Sequence, residues 1–207
     1  LPVALERCDD DGVLRTGWVL DGDLSGLAVL DLDSGKHFDA DPFLPGFNVL
    51  PVGGVPTVVR GTTDSRYVFV AVARDDQSGL PGLVRIDALQ AVPEAAPVRQ
   101  DLPCEVRDLA VGRAAFPGEP EGVDVLLVLM ACAEGSRLAA LDAAAFGTLD
   151  VADPVAVPSW PVPGDALSLG MDAGGTVAYV ASTATTMMTP PPDGVVAIGA
   201  MLTPLNL

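Results

Sequence analysis

The chain has 207 residues, 49% of them apolar, enough for one domain of ordinary size with a buried core. Its longest unbroken apolar stretch, Val125 to Ala133, is far shorter than the roughly 20 residues of a membrane-spanning helix, so a soluble protein without a membrane span is expected. The 28 acidic and 11 basic residues leave a net charge of −17. That balance argues against nucleic acid or an anionic membrane as partner, because both select clustered Lys and Arg.

Two markers recur in the same order. Leu1-Pro2, Leu50-Pro51, Leu102-Pro103 and Trp160-Pro161 open four segments, each followed by Val or Cys. Deeper in each segment lie GLAVLD (from Gly26), GLVRID (from Gly82), RLAALD (from Arg137) and GVVAIG (from Gly194), at offsets of 56, 55 and 57 residues. A fixed order kept through four segments is a repeat architecture, with approximate units 1–49, 50–101, 102–159 and 160–207 in one region spanning 1–207. The chain opens on Leu1-Pro2 without Met. Removal of a signal peptide or origin within a longer protein would each give such a start.

The first segment predicts strands at Val3 to Cys8, Val13 to Leu20 and Ser25 to Asp33, with a polar outer piece from Lys36 to Phe43. The second predicts Pro56 to Asp64, Tyr67 to Arg74, Gly82 to Leu89 and a weaker strand at Ala96 to Leu102. In the third they fall at Glu105 to Gly112, Asp124 to Ala133, Ser136 to Ala143 and Val151 to Pro158, with Arg113 to Val123 as a connection. The fourth has Ala166 to Asp172, Thr176 to Thr183 and Gly194 to Met201, with an incomplete outer part. The second strand of each segment is apolar at nearly every position, as a strand covered on both faces should be. The outermost strands contain proline and polar residues, as exposed edges do. Repeating four-stranded units of this kind predict an all-β fold, a β-propeller-like array of about four blades.

The run from Pro51 to Leu89, PVGGVPTVVRGTTDSRYVFVAVARDDQSGLPGLVRIDAL, resembles the YVTN-type, lactonase-like propeller repeat. The matching features are the Val-Gly-x-x-Pro opening, the Tyr-Val second strand and the third strand ending in Ile-Asp; the fourth segment is similar but has Gly199 in place of the Asp. The resemblance implies a seven-bladed ring of bacterial, extracytoplasmic origin, of which four blades would be a part. The alternative is a closed four-bladed ring. The family hosts unrelated functions, so it implies little about activity.

Asp21-Gly22-Asp23-Leu24-Ser25-Gly26 matches the opening of a calcium loop, in which alternate side-chain oxygens face one cation. The twelfth position is Leu32 rather than Glu, and the motif falls where a hairpin turn is expected. Asp21, Asp23 and Ser25 are therefore either turn residues or a weak calcium site, and calcium is the only cofactor the sequence suggests. Asp9-Asp10-Asp11 is a similar case.

Cys104 and Cys132 lie equally far from Gly118, so an antiparallel hairpin sets them opposite each other, either bridged or as two free thiols. A bridge implies an oxidising compartment and leaves Cys8 over. The single histidine, His37, sits in a polar stretch with Asp39 and Asp41 and reads as a loop residue. Asp31, Asp87 and Asp142 recur at the ends of third strands, where a carboxylate accepts backbone hydrogen bonds. In the insertion from Thr183 to Asp193, Met187 and Met188 beside three prolines form either an adaptable contact surface or a solvent loop.

The functional expectation is an extracytoplasmic binding scaffold for a protein, small-molecule or carbohydrate ligand, with further blades of a longer chain as its structural partners. A lactonase-like or other hydrolytic enzyme with its site on the ring axis is the alternative, and a calcium-stabilised adhesion module the third.

Overall fold

The computed structural model describes residues 16–21, 23, 25–32, 34–37, 49–62, 66–73, 79–88, 97–116, 119–144, 146, 159–172, 177–183 and 203–206; within these, the side chains of 113–123 and 203–206 are left aside. Every regular element among them is a β-strand, and all pairing is antiparallel. The chain divides into two compact units, Leu1–Leu102 and Pro103–Leu207.

In the first unit, β1 (Thr16–Asp21) and β2 (Gly26–Asp31) form a hairpin. The far edge of β2 is shared by two short strands, β3 (Lys36–His37) against Leu30 and Asp31, and β4 (Val49–Pro51) against Gly26 to Ala28. Gly26 makes the second of these possible. A Cβ there would overlap the Val49 side chain and stand 2.6 Å from the Leu50 carbonyl oxygen.

The second sheet is a meander of β5 (Pro56–Gly61), β6 (Tyr67–Val72), β7 (Gly82–Asp87) and β8 (Val98–Asp101). Val68, Val70 and Val72 alternate onto one face of β6 and join Val59, Val84 and Ile86. That face shares a core with Trp18, Leu27, Val29, Leu50 and Val52. Each such side chain contributes about 1.5–3 kcal/mol on full burial. Phe69 and Ala71 on the opposite face are also fully buried, so β6 is covered on both sides, as its unbroken apolar sequence predicts.

The second unit contains β9 (Glu105–Phe116), β10 (Glu119–Cys132), β11 (Gly135–Asp142) and β12 (Ser159–Val162), in the order β12-β11-β10-β9. Its other sheet comprises β13 (Ala166–Met171), β14 (Val177–Ser182) and β15 (Thr203–Asn206). Leu127, Leu129, Leu138 and Val162 of the first sheet pack with Ala166, Leu169, Ala178 and Val180 of the second.

Several boundaries differ from those predicted. Among the described residues, none of these Leu-Pro and Trp-Pro markers opens a new sheet; Leu1-Pro2 lies outside them. Leu50-Pro51 lies in β4 and Trp160-Pro161 in β12, while Leu102 donates its N–H to the Pro81 carbonyl (2.8 Å) as the last bond beside β8. These are outer strands, where proline's missing N–H leaves no ladder bond unmade. The outer strand predicted at Val151 to Pro158 lies outside the described residues, and the strand that pairs with β11 is Ser159–Val162. The connection predicted at Arg113 to Val123 is instead mostly ladder, with a register shift between Glu119 and Val123. The strands predicted at Val3 to Cys8 and Gly194 to Met201 lie outside the described residues, and β15 pairs with β14 in the fourth sheet.

Candidate functional site

Three of the sheets begin with the same irregularity. In β5, Pro56 faces Val72 but Val58 faces Ala71, leaving Thr57 as an extra residue. In β9, Val106 faces Met130 and Asp108 faces Leu129, with Arg107 extra. In β13, Ala166 faces Ser182 and Ser168 faces Ala181, with Leu167 extra. A bulge of this kind frees one residue from the ladder and re-aims its side chain. Thr57, Arg107 and Leu167 are all exposed, and Leu167, at 62%, is far more exposed than any other large apolar residue described. Thr57 stays exposed although the strand beside it is buried on both faces, so the bulge position points away from the stacked surfaces.

In the second unit a buried carboxylate fixes the bulges of β9 and β13 relative to each other. Oδ1 of Asp108 accepts the N–H of Leu109 (2.9 Å). Its Oδ2 accepts the N–H of Leu169 (2.9 Å) and the hydroxyl of Ser168 (3.1 Å). Just before the β13 bulge, Ala166 donates its N–H to Ser136 Oγ (2.9 Å). Ala166 and Leu169 are buried, and without these acceptors their N–H groups would be desolvated and unpaired. Proline occupies the position equivalent to Ala166 in β5, Pro56, and needs no acceptor.

Asp21 is the last residue of β1, paired with Gly26, and Asp23 and Ser25 lie in the turn between them. Ser25 adopts φ 53° and its carbonyl accepts the N–H of Val52 (3.3 Å). Among the described residues, no group of three or more His, Cys, Asp or Glu is arranged to hold a metal ion. Cys104 and Cys132 are joined by a disulfide with Cα atoms 4.9 Å apart, at the end of the β9–β10 ladder that carries the Arg107 bulge. Cys8, Asp9-Asp10-Asp11, Met187 and Met188 lie outside the described residues.

Two of the repeated acids, Asp31 and Asp142, act in turns. Asp31 accepts from the Ser34 hydroxyl (2.6 Å), and Asp142 from the N–H of Ala144 (2.7 Å). His37 is exposed on β3, where it pairs with Leu30.

Sequence reasoning missed two features. Tyr67 has the guanidinium of Arg66 4.9 Å and that of Arg85 4.7 Å from its ring centroid, within cation–π range. Residues 66 and 67 are adjacent, but Arg85 reaches the ring only through the β6–β7 register. The bulges were also missed. Their signal is a buried pair spaced by three rather than two: Pro56 and Val59, Val106 and Leu109, Ala166 and Leu169.

No family model matches the chain, and no curated protein matches it. Among solved structures, it resembles the crystal structure of a functionally unknown protein from Desulfotomaculum acetoxidans, with a TM-score of 0.58 and 13% sequence identity. The match covers 90% of this chain and 50% of that one, so the chain spans about half the length of the structure it matches. At this identity the likeness is one of fold. No helix among the described residues is long and apolar enough to cross a membrane.

Proposed function

We propose that the four sheets are blades of a β-propeller ring larger than four blades, and that the protein is an extracytoplasmic binding scaffold whose ligand is read by the two first-strand bulges of the second unit, Arg107 and Leu167. The observation that carries this reading is one backbone device used twice in the second unit, tied together by Asp108, to present unlike exposed groups, the guanidinium of Arg107 and the isobutyl group of Leu167; the first unit repeats the device at Thr57, whose hydroxyl donates to the Ala71 carbonyl (3.2 Å). A constant scaffold with variable exposed side chains is the pattern of a recognition surface. The repeat markers and the doubly covered β6 support the blade assignment. The greater length of the structural relative supports a larger ring. The Cys104–Cys132 bond supports an oxidising compartment, where structural disulfides persist.

The test is a binding screen on glycan and peptide arrays with the wild-type chain and the double variant Arg107→Ala, Leu167→Ala. Both side chains are exposed, so the melting temperature should be unchanged while the array signal is lost. Array binding that survives the double variant would refute the assignment of the bulges, and turnover of lactone or ester substrates would favour an enzyme.

A further inference from the structure

Arg107 stands apart from the other arginines whose side chains are described. Arg60, Arg99 and Arg137 hold hydrogen-bond acceptors, and Arg66 and Arg85 rest against the Tyr67 ring. Arg107, exposed at the β9 bulge, has no such partner among the described residues. This is not for want of acid, since the chain carries 28 acidic residues against 11 basic ones. The carboxylate next to it in the chain is already engaged. Asp108 places Oδ1 on the N–H of Leu109, and Oδ2 on the N–H of Leu169 and the hydroxyl of Ser168.

Those same bonds set what stands beside Arg107. Arg107 immediately precedes Asp108 and Leu167 immediately precedes Ser168, so one buried side chain holds the two bulges to each other. Leu167 is 62% exposed although Ala166 and Leu169 on either side of it are buried. An isobutyl group in water forgoes the stabilisation of burial, and an apolar group of a ligand would restore it.

We propose that the paired bulges bind a carboxylate carried next to an aliphatic group. The proposal deepens the reading of Arg107 and Leu167 as the binding positions and rests on it. Each part of the ligand follows from one observation. A single planar guanidinium matches a carboxylate in bidentate fashion. One cation in a chain of net charge −17 suits a monoanion. A phosphate, with about 1.5–2 negative charges, or a polyanion would need clustered cations to offset the repulsion. Leu167 takes the aliphatic part. A free aliphatic acid and a peptide C-terminus that follows an aliphatic side chain both carry these groups side by side.

The test compares two acids with their neutral amides on the full 207-residue chain. One is a labelled peptide ending in leucine, read by fluorescence anisotropy, and the other is isocaproate, read by ligand-observed NMR. At least one acid should bind about tenfold or more tightly than its amide. Arg107→Gln should remove that difference without changing the affinity for the amide, and Leu167→Ala should weaken acid and amide alike. Lys36→Gln, at an exposed cation of the other unit, should leave every affinity unchanged. A preference confined to the peptide would assign the site to peptide C-termini; one shared by isocaproate, or confined to it, would assign it to free aliphatic acids. Absence of any preference for acid over amide, or a preference that survives Arg107→Gln, overturns the proposal. If the array signal is still lost in the Arg107→Ala, Leu167→Ala variant, the bulges remain the binding site and only the ligand chemistry is wrong. If array binding survives that variant, both readings fail.

Discussion

Asp108 and Leu169 are 61 residues apart in the chain, yet the carboxylate of one holds the backbone N–H of the other at 2.9 Å. This bond, with those to Ser168 and Leu109, joins the first strands of two neighbouring sheets through one buried side chain. Replacing it with an apolar residue leaves two buried backbone donors unpaired. Asp108→Ala is expected to cost about 2–4 kcal/mol by urea denaturation, and Asp108→Asn, which keeps one carbonyl oxygen, measurably less. Equal losses for the two variants would mean that the amide cannot stand in for the carboxylate.

The disulfide between Cys104 and Cys132 closes a segment with a sequence separation of 28. Chain-entropy arguments give such a loop about 3–4 kcal/mol, acting mainly on the unfolded state. Cys104→Ser with Cys132→Ser should therefore lower the melting temperature while leaving the native circular dichroism unchanged. Adding a thiol reductant should lower the wild-type melting temperature to that of the double variant, and a wild-type value indifferent to reductant would contradict the bond.

Two glycines should respond in opposite ways. At Gly26 a methyl group has no room, and because one obstacle is the Leu50 backbone it cannot rotate away. Gly26→Ala is expected to destabilise by about 1–3 kcal/mol. At Gly170 the methyl meets nothing, and Gly170→Ala should stabilise by about 0.4–1 kcal/mol through the unfolded chain. Thermal melts of the two variants side by side provide the check.

Arg99 ties three pieces of backbone together. Its Nε pairs with Asp101 (2.8 Å), Nη1 donates to the Gly53 carbonyl and Nη2 to the Leu80 carbonyl (3.1 Å), while the guanidinium rests on Gly82. Lysine has the charge but not the fork. Arg99→Lys should lose about 1–2 kcal/mol in chemical denaturation, and full retention of stability would show that charge alone suffices.

Ser25 separates the two readings of the β1–β2 loop. As a turn residue with φ 53°, it is strained by its Cβ, and Ser25→Gly should stabilise by about 1 kcal/mol. As a calcium ligand, its loss would weaken the metal site. The expected outcome is a higher melting temperature for Ser25→Gly, with millimolar calcium or a chelator making no difference to either protein.

Much of the fold can be read in the sequence because its periodicity is strong where burial is strong. The second sheet was predicted at Pro56 to Asp64, Tyr67 to Arg74, Gly82 to Leu89 and Ala96 to Leu102, and each strand lies within its range. The Cys104–Cys132 pairing was legible because symmetric spacing about Gly118 survives any error in the strand ends. The segment boundaries were not, because Leu-Pro and Trp-Pro were taken to open segments, whereas Leu50-Pro51 and Trp160-Pro161 lie in outer strands, which proline's missing N–H suits. The bulges were hidden for a related reason. In Glu105 to Gly112 the three-residue step from Val106 to Leu109 lies among other apolar residues, and only the ladder register exposes it. Asp108 gave no warning at all, since its partner is on a different sheet.

The prolines of the outer strands have a consequence for how such a chain changes over evolutionary time. Pro51 and Pro161 lie within outer strands, and Pro103 comes two positions after the last residue of another, Asp101. Each of these sheets therefore ends in a margin that is poor at recruiting a new strand. When a segment is duplicated or lost, the remaining sheets keep their own finished margins, and no new adhesive rim is created. The number of repeats can then drift without turning the protein into a fibre, which leaves selection free to act on the few side chains that differ from one repeat to the next.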